Sequence, residues 1–330
     1  MNEAAPTPPR FADIEAAAGR LAGVAVRTPL LPCPALDARL GTRSFVKPEG
    51  LQRTGSFKFR GAYAKLSRLA EEARAKGVVA YSSGNHAQGV AAAAQLIGAK
   101  ATIVMPADAP EIKIENTRSY GAETLLYDRY REEREAVAQA LIDERGSLLV
   151  RPYDDADIVA GQGTVGLEIA QQAEAAEVAL DAVLVCCGGG GLSSGTALAL
   201  SNTSPATKVY AVEPAGFDDT ARSLRSGQRE SVRGGAESFC DALLAKQPGA
   251  LTFPLNQALL AGGLVVTDAE VADAMAFAFR NLKLVVEPGG AVALAAALSG
   301  KLPLAGKTVA IVLSGANVDP DLYRKVLARA

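Results

Sequence analysis

The chain has one histidine, four cysteines, no tryptophan and no long apolar run, and each shortage closes off a class of function. With a single histidine a His-rich zinc site is excluded, and a Ser-His-Asp hydrolase would have to rest on His86. Cys33 and Cys240 stand alone while Cys186 and Cys187 are neighbours, so no C-x-x-C pair exists for a metal or a redox couple. All four read as buried packing residues in a reducing, cytoplasmic setting. The 34 Lys+Arg and 36 Asp+Glu are interspersed, which leaves no basic stripe to neutralise phosphates, so nucleic acid is not an expected partner. Apolar runs such as Val183–Cys187 and Val292–Leu298 end in glycine or serine well short of the ~20 residues a membrane span requires, and no membrane association is expected. The opening MNEAAPTPPR has acid and proline where an export signal has base and an apolar core, and its prolines predict a loose arm over the first ten residues.

What the 330 residues do contain is alternation. Short β-branched runs predict strands at Ser44–Lys47, Val78–Tyr81, Ala101–Met105, Thr124–Tyr127, Ala182–Cys187, Lys208–Val212 and Thr308–Leu313. Between them, stretches of helical period predict helices such as Phe57–Lys76 and His86–Ile97, stopped by Gly77 and Gly98. A βαβα order predicts the α/β class, with parallel sheets, helices on their faces and ligand sites beyond the carboxyl ends of the strands. The polar stretch Tyr127–Arg145 and the loop around Pro152 mark one domain crossing and Pro48–Gly50 another, which sets Leu51–Val150 apart as a smaller inserted unit.

Four segments carry chemistry. In Lys47–Leu66, Ser56 sits at a predicted N-cap and Lys58 in the first turn of the following helix, where the macrodipole disfavours a cation. A Schiff base with an aldehyde cofactor would consume that amine, and Phe57 and Phe59 would desolvate it; the alternative is an ordinary surface lysine. In Tyr81–Gly89, a strand runs into YSSGNHAQG and a helix start, a turn that offers backbone N–H groups to a carboxylate or is simply a βα turn capped by Asn85. In Val183–Gly195, four consecutive glycines follow a strand, an arrangement suited to a backbone folded closely around a phosphate. That run lacks both the P-loop lysine and the third glycine of a dinucleotide fingerprint, although Glu213 lies where an NAD enzyme would hold its ribose. In Val309–Asp319, Ser314 follows a strand and could hydrogen-bond a heteroaromatic nitrogen without holding it protonated. Glu213 and Asp219 could share a hard cation or form a solvated turn.

Taken in order, SFKFRGA, SSGNHAQG, GGGGL, VEPGGA and LSGANVD resemble the fold-type II pyridoxal-phosphate enzymes, and within them the threonine/serine dehydratase and serine racemase group, from about Thr28 to about Asp319. The resemblance implies a two-domain fold like that of the tryptophan synthase β subunit, each domain a mostly parallel sheet flanked by helices, with residues 1–50 and 151–330 as a large cofactor domain and 51–150 as a small one. It implies Lys58 as the Schiff-base lysine, Phe57 packed by the cofactor, Asn85 at its ring hydroxyl, Gly188, Gly189, Gly190, Gly191 and Leu192 at its phosphate, Ser314 at its pyridine nitrogen and Glu287 as an acidic neighbour. Ser83, Asn85, His86 and Ala87 would hold the substrate carboxylate, and Ser83 matches the racemase pattern, in which that serine is a second acid/base. Glu213, the Phe217 carbonyl and Asp219 match that group's Mg2+ or Mn2+ site. Two positions stand out locally: Cys240-Asp241-Ala242 replaces the usual Ala-Asp-Gly, and Arg134 aligns with a residue that contacts the substrate side chain in some members.

The activity this implies is β-elimination from L-threonine or L-serine to a 2-oxo acid and ammonia, by a homodimer acting on a small hydroxy amino acid. Serine racemisation and dehydration of 3-hydroxyaspartate are the alternatives within the group. An NAD-dependent dehydrogenase, or a non-catalytic amino-acid sensor, is the alternative outside it. The chain ends at Ala330, without the regulatory domain of the allosteric biosynthetic dehydratases, so control by isoleucine is not expected.

Overall fold

The computed structural model describes residues 7–329 except 83, 110 and 129. Ten strands form two sheets: β1 (Leu31–Pro32), β2 (Arg43–Pro48), β3 (Val78–Tyr81), β4 (Ala101–Pro106), β5 (Glu123–Tyr127), β6 (Leu148–Leu149), β7 (Ala182–Cys186), β8 (Lys208–Pro214), β9 (Gly262–Val266) and β10 (Thr308–Leu313). The six-stranded sheet has the order β1-β2-β10-β7-β8-β9, and the four-stranded sheet the order β5-β4-β3-β6. Every pairing is parallel except β1 with β2. Helices cover both sheets, so the central strands are buried on both faces and read as unbroken apolar runs, as in AVLVC and TVAIVL.

Each strand predicted from the sequence is present, with ends shifted by a residue or two; β1, β6 and β9 were not predicted, the first two being two residues long and the third glycine-led. The helix predicted over Phe57–Lys76 is two helices, Lys58–Leu66 and Glu71–Lys76, because the chain turns at Ser67 and Arg68 before Glu71 and Glu72 open a new first turn. The polar stretch Tyr127–Arg145 contains a helix, Arg134–Arg145, closed by Gly146 in the left-handed conformation. Of the arm expected over the first ten residues, positions 1–6 lie outside the described residues, and Phe11–Leu21 begins a helix.

One long helix positions the site. Ala156–Ala175 is capped by Asp155, whose carboxylate accepts from the N–H groups of Asp157 and Ile158. Its small residues let two other helices approach at backbone distance. A Cβ on Gly161 would lie 2.6 Å from the Arg60 carbonyl oxygen, and one on Gly163 2.9 Å from that of Gly195. The helix bearing Lys58 and the helix following the four glycines thus rest on the same seam, which sets the amine and the glycine turn at a defined separation.

Candidate active site

A cavity of about 340 Å³ opens where the carboxyl ends of β3, β7 and β10 meet. It is lined by Phe57, Lys58, Asn85, His86, Gly188, Gly189, Gly190, Gly191, Leu192, Glu287 and Ser314, residues spread over most of the chain. Ala87 is buried in the first turn of the helix Asn85–Ile97 and does not line the cavity, and Ser83 lies outside the described residues.

Lys58 is the first residue of its helix, as expected, and its Nζ donates to the Pro152 carbonyl at 2.6 Å, 5.2 Å from the Phe57 ring centre. Phe59 faces the other way, stacked on Tyr63. Burial pulls the Lys58 amine down to about 8, against a smaller opposing effect of the nearby Cys186 and Glu287 side chains. A lysine so tuned supplies a neutral nucleophile close to neutral pH. Ser56 does not cap the helix: its backbone bridges to Gly315, Phe57 holds the cap position and the Ser56 hydroxyl has no partner among the described residues.

Nor does Asn85 cap its helix, since Gly84 holds that position and a distant carboxylate claims the asparagine side chain. Asn85 Nδ2 donates to Glu287 Oε1 at 2.6 Å, and Asn85 Oδ1 accepts from Asn317 Nδ2 at 2.7 Å. Glu287 is raised to about 8 by burial and by the nearby Asp241 charge. His86 is pushed down to about 3 by burial and by Lys58, so it is a neutral imidazole whose Nε2 lies 2.8 Å from the Val150 carbonyl. With Nε2 on a backbone carbonyl and no carboxylate on Nδ1 among the described residues, it does not form a Ser-His-Asp triad.

Three of the four glycines have no room for side chains. A Cβ on Gly189 would lie 2.3 Å from the Tyr153 ring, one on Gly190 2.7 Å from Thr252 Oγ1, and one on Gly191 2.7 Å from Gln162 Oε1. Gly190 also has φ 94, which only glycine adopts without strain. The turn leads into the helix Gly191–Thr203, whose free N–H groups and dipole favour an anion. Buried atoms around it lack partners among the described residues, namely both polar atoms of the Gln162 side chain, Asn256 Nδ2 and His86 Nδ1. An amine of lowered basicity, an anion turn and unpaired buried polar groups in one cavity fit an aldehyde cofactor with an anionic tail. Gln162 and Tyr153 escaped the sequence reading; AGQGTVG, a glutamine among glycines in an apolar helix, was the signal for the first.

Glu213 faces away from this cavity. Its oxygens accept from the N–H groups of Thr220 and Ala221 at 2.9 and 2.7 Å, which leaves them turned toward the start of the helix Asp219–Ser226 rather than toward a ribose beside the glycines. Burial and the Asp219 charge raise Glu213 to about 8, and burial raises Asp219 to about 7. Among the described residues no group of three or more His, Cys, Asp or Glu could hold a metal. No helix among them is long and apolar enough to cross a membrane.

A parallel α/β fold with a tuned lysine opposite a glycine anion turn defines a pyridoxal-phosphate lysine enzyme. The chain belongs to the family described as pyridoxal-phosphate dependent enzyme, whose model matches residues 22–315. It is 44% identical over 317 residues to an L-threo-3-hydroxyaspartate ammonia-lyase of Pseudomonas sp, covering 96% of this chain and 98% of that one. It is 37% identical over 321 residues to a serine racemase of Schizosaccharomyces pombe, covering 97% and 98%. The crystal structure of a T.th. threonine deaminase superposes with a TM-score of 0.89 at 44% identity, covering 94% of this chain and 99% of that one. The protein is a pyridoxal-phosphate-dependent lyase of the ammonia-lyase type, with elimination and deamination chemistry on small hydroxy amino acids. The NAD-dependent reading of the glycines and Glu213 falls with this.

Proposed function

We propose that the chain deaminates L-threo-3-hydroxyaspartate, removing the β-hydroxyl and the amine to leave the dicarboxylic 2-oxo acid and ammonia, with L-threonine and L-serine as poorer substrates. This revises the preference for threonine or serine drawn from the sequence. The observation that carries it is Arg134. It opens the helix Arg134–Arg145, where the dipole disfavours a cation, yet it lines the cavity and its guanidinium stacks 5.2 Å from the Tyr81 ring centre, at the end of the strand that leads into the carboxylate turn. Its Nε is held by Glu135 at 2.8 Å, which orients the remaining guanidinium nitrogens. A second substrate carboxylate explains why a cation is kept there; a methyl or hydrogen at that position does not. The name of the Pseudomonas relative supports the same choice.

The roles of the chain's residues follow. The bound cofactor supplies an electron sink for charge developing at the substrate's Cα. Lys58 Nζ binds it covalently and, once freed, takes the Cα proton, a task its lowered basicity suits. Gly188–Leu192 grip its phosphate, Phe57 packs beside it, and Ser314 meets its ring nitrogen as a neutral group. Asn85 and His86, which line the cavity at the start of their helix, hold the α-carboxylate, with Ser83 assigned beside them by the family resemblance alone. Glu287, kept neutral by burial, fixes Asn85.

A divalent cation, Mg2+ or Mn2+, at Glu213, the Phe217 carbonyl and Asp219 belongs to the same reading. Asp219 Oδ2 is buried without a partner among the described residues, and burial raises both carboxyl groups, Glu213 further by the Asp219 charge, the situation a hard cation relieves. The chain is proposed to act as a homodimer.

Ammonia release measured with L-threo-3-hydroxyaspartate, L-threonine and L-serine tests the assignment. We expect the dicarboxylate to lead in kcat/KM by at least about tenfold and Arg134→Gln to erase that lead. Preference for threonine, unchanged in the variant, would overturn it. Interconversion of serine enantiomers lost in Ser83→Ala would favour the racemase alternative.

A further inference from the structure

Three of the four cysteines lie away from the cavity; Cys186, the last residue of β7, does not. Its buried side chain lines the cavity close to Lys58, and its thiol donates to Ser314 Oγ at 3.1 Å. Burial pushes the thiol up to about 11, so it keeps its proton and remains a donor. The Ser314 oxygen therefore receives one hydrogen from the protein and has its own left to give. Among the described residues that hydrogen has no acceptor.

We propose that Cys186 is a positioning residue: by donating to Ser314 Oγ it commits the serine hydroxyl to act as a donor, aimed at the cofactor's pyridine nitrogen, which is thereby held unprotonated. This rests on the placement of Ser314 at that nitrogen given above. A hydroxyl alone can donate or accept, so it cannot choose the nitrogen's protonation state. A thiol donating to one of its lone pairs biases that choice, because the hydroxyl's own hydrogen has no other acceptor among the described residues and an unprotonated ring nitrogen supplies one. The consequence is a weaker electron sink, which favours prompt loss of the β-hydroxyl over slower reactions of a long-lived carbanion.

The test uses the apoprotein with pyridoxal phosphate and with its 1-deaza analogue, in which C–H replaces the ring nitrogen. Dissociation constants are read from tyrosine fluorescence, which the absence of tryptophan leaves unobscured. We expect Cys186→Ala to weaken pyridoxal phosphate about fivefold, the worth of one hydrogen bond, and to leave the analogue unchanged. Cys186→Ser, which keeps a donor, restores binding and covers the case in which the alanine variant folds poorly. Equal loss for both ligands means that the thiol only packs, and no loss means that it does nothing for Ser314; either result overturns the proposal. Ser314→Ala is the control. If it fails to separate the two ligands, the placement of Ser314 is wrong and the proposal goes with it; if it separates them and Cys186→Ala does not, only the role of Cys186 is lost. The S–H stretching band of the apoprotein gives a readout without cofactor: the component missing in Cys186→Ala moves to its unbonded position in Ser314→Ala.

Discussion

Lys58 and Arg60 leave the same helical turn two residues apart, and they meet opposite fates. Arg60 is fully buried and answered on every side: Nε and Nη2 donate to Glu49 at 2.7 and 2.8 Å, and Nη1 donates to Glu168 at 2.6 Å. Lys47 joins the same cluster through Glu168 at 2.6 Å. Burial opposes both charges of the Arg60–Glu49 pair, but the pairing outweighs it, leaving Arg60 above and Glu49 below their ordinary values. Among the described residues Lys58 has only a carbonyl as hydrogen-bond partner, and there burial prevails. A buried cation with matched carboxylates anchors a helix between distant elements, whereas one without them is held ready to become neutral and react.

The comparison can be broken at several points. Lys58→Ala should lower ammonia release by at least about 10³-fold and abolish the chain-bound cofactor fixed by borohydride, while denaturant unfolding of the apoprotein stays the same or improves. Arg60→Met should do the reverse to stability, costing about 3–5 kcal/mol in denaturant unfolding because Glu49 and Glu168 lose their partner. Equal stability effects from the two substitutions would erase the distinction.

Titration sharpens it. The folded Lys58 amine titrates at about 8 instead of 10.5, so the unfolded chain binds the extra proton between those values and stability gains from this group as pH rises through them. Cofactor capture by the apoprotein, which needs the neutral amine, should quicken as pH rises through about 8. Glu213 behaves oppositely: raised from 4.5 to about 8, it holds a proton in the folded state that the unfolded chain releases, so its cost to stability accrues as pH rises through that window. Added Mg2+ should raise the melting temperature of the protein at pH 8 by a few degrees and have no such effect on Asp219→Asn. The smallest effect is expected at Arg68–Asp157, an ion pair of 2.5 Å whose arginine side chain is 56% exposed. Arg68→Gln should change unfolding free energy by less than about 0.5 kcal/mol, since solvent screens the pair.

Much of this arrangement was legible in the chain. Lys58 in a first turn, four glycines after an apolar run and Ser314 after another are local patterns, and the structure brings all three to one cavity. The failures share a cause. Ser56 and Asn85 look like helix caps, but a backbone bridge to Gly315 and a carboxylate 202 positions away claim them instead. Cys186 looks like packing because nothing near it in sequence shows that Ser314, 128 positions on, stands beside it. Gln162 reads as a helix residue until its helix is seen lying between the Lys58 helix and the glycine turn.

The βα alternation, the turns that only glycine can make and the cation set against a helix dipole were written in the sequence itself, because each depends on residues within a few positions of one another. Which buried charges found partners, which cysteine met the Ser314 hydroxyl and which polar groups were left facing the cavity were decided only by tertiary structure. Those outcomes depend on contacts between segments that only the folded sheets bring together, and burial then multiplies the consequence of each contact made or missed.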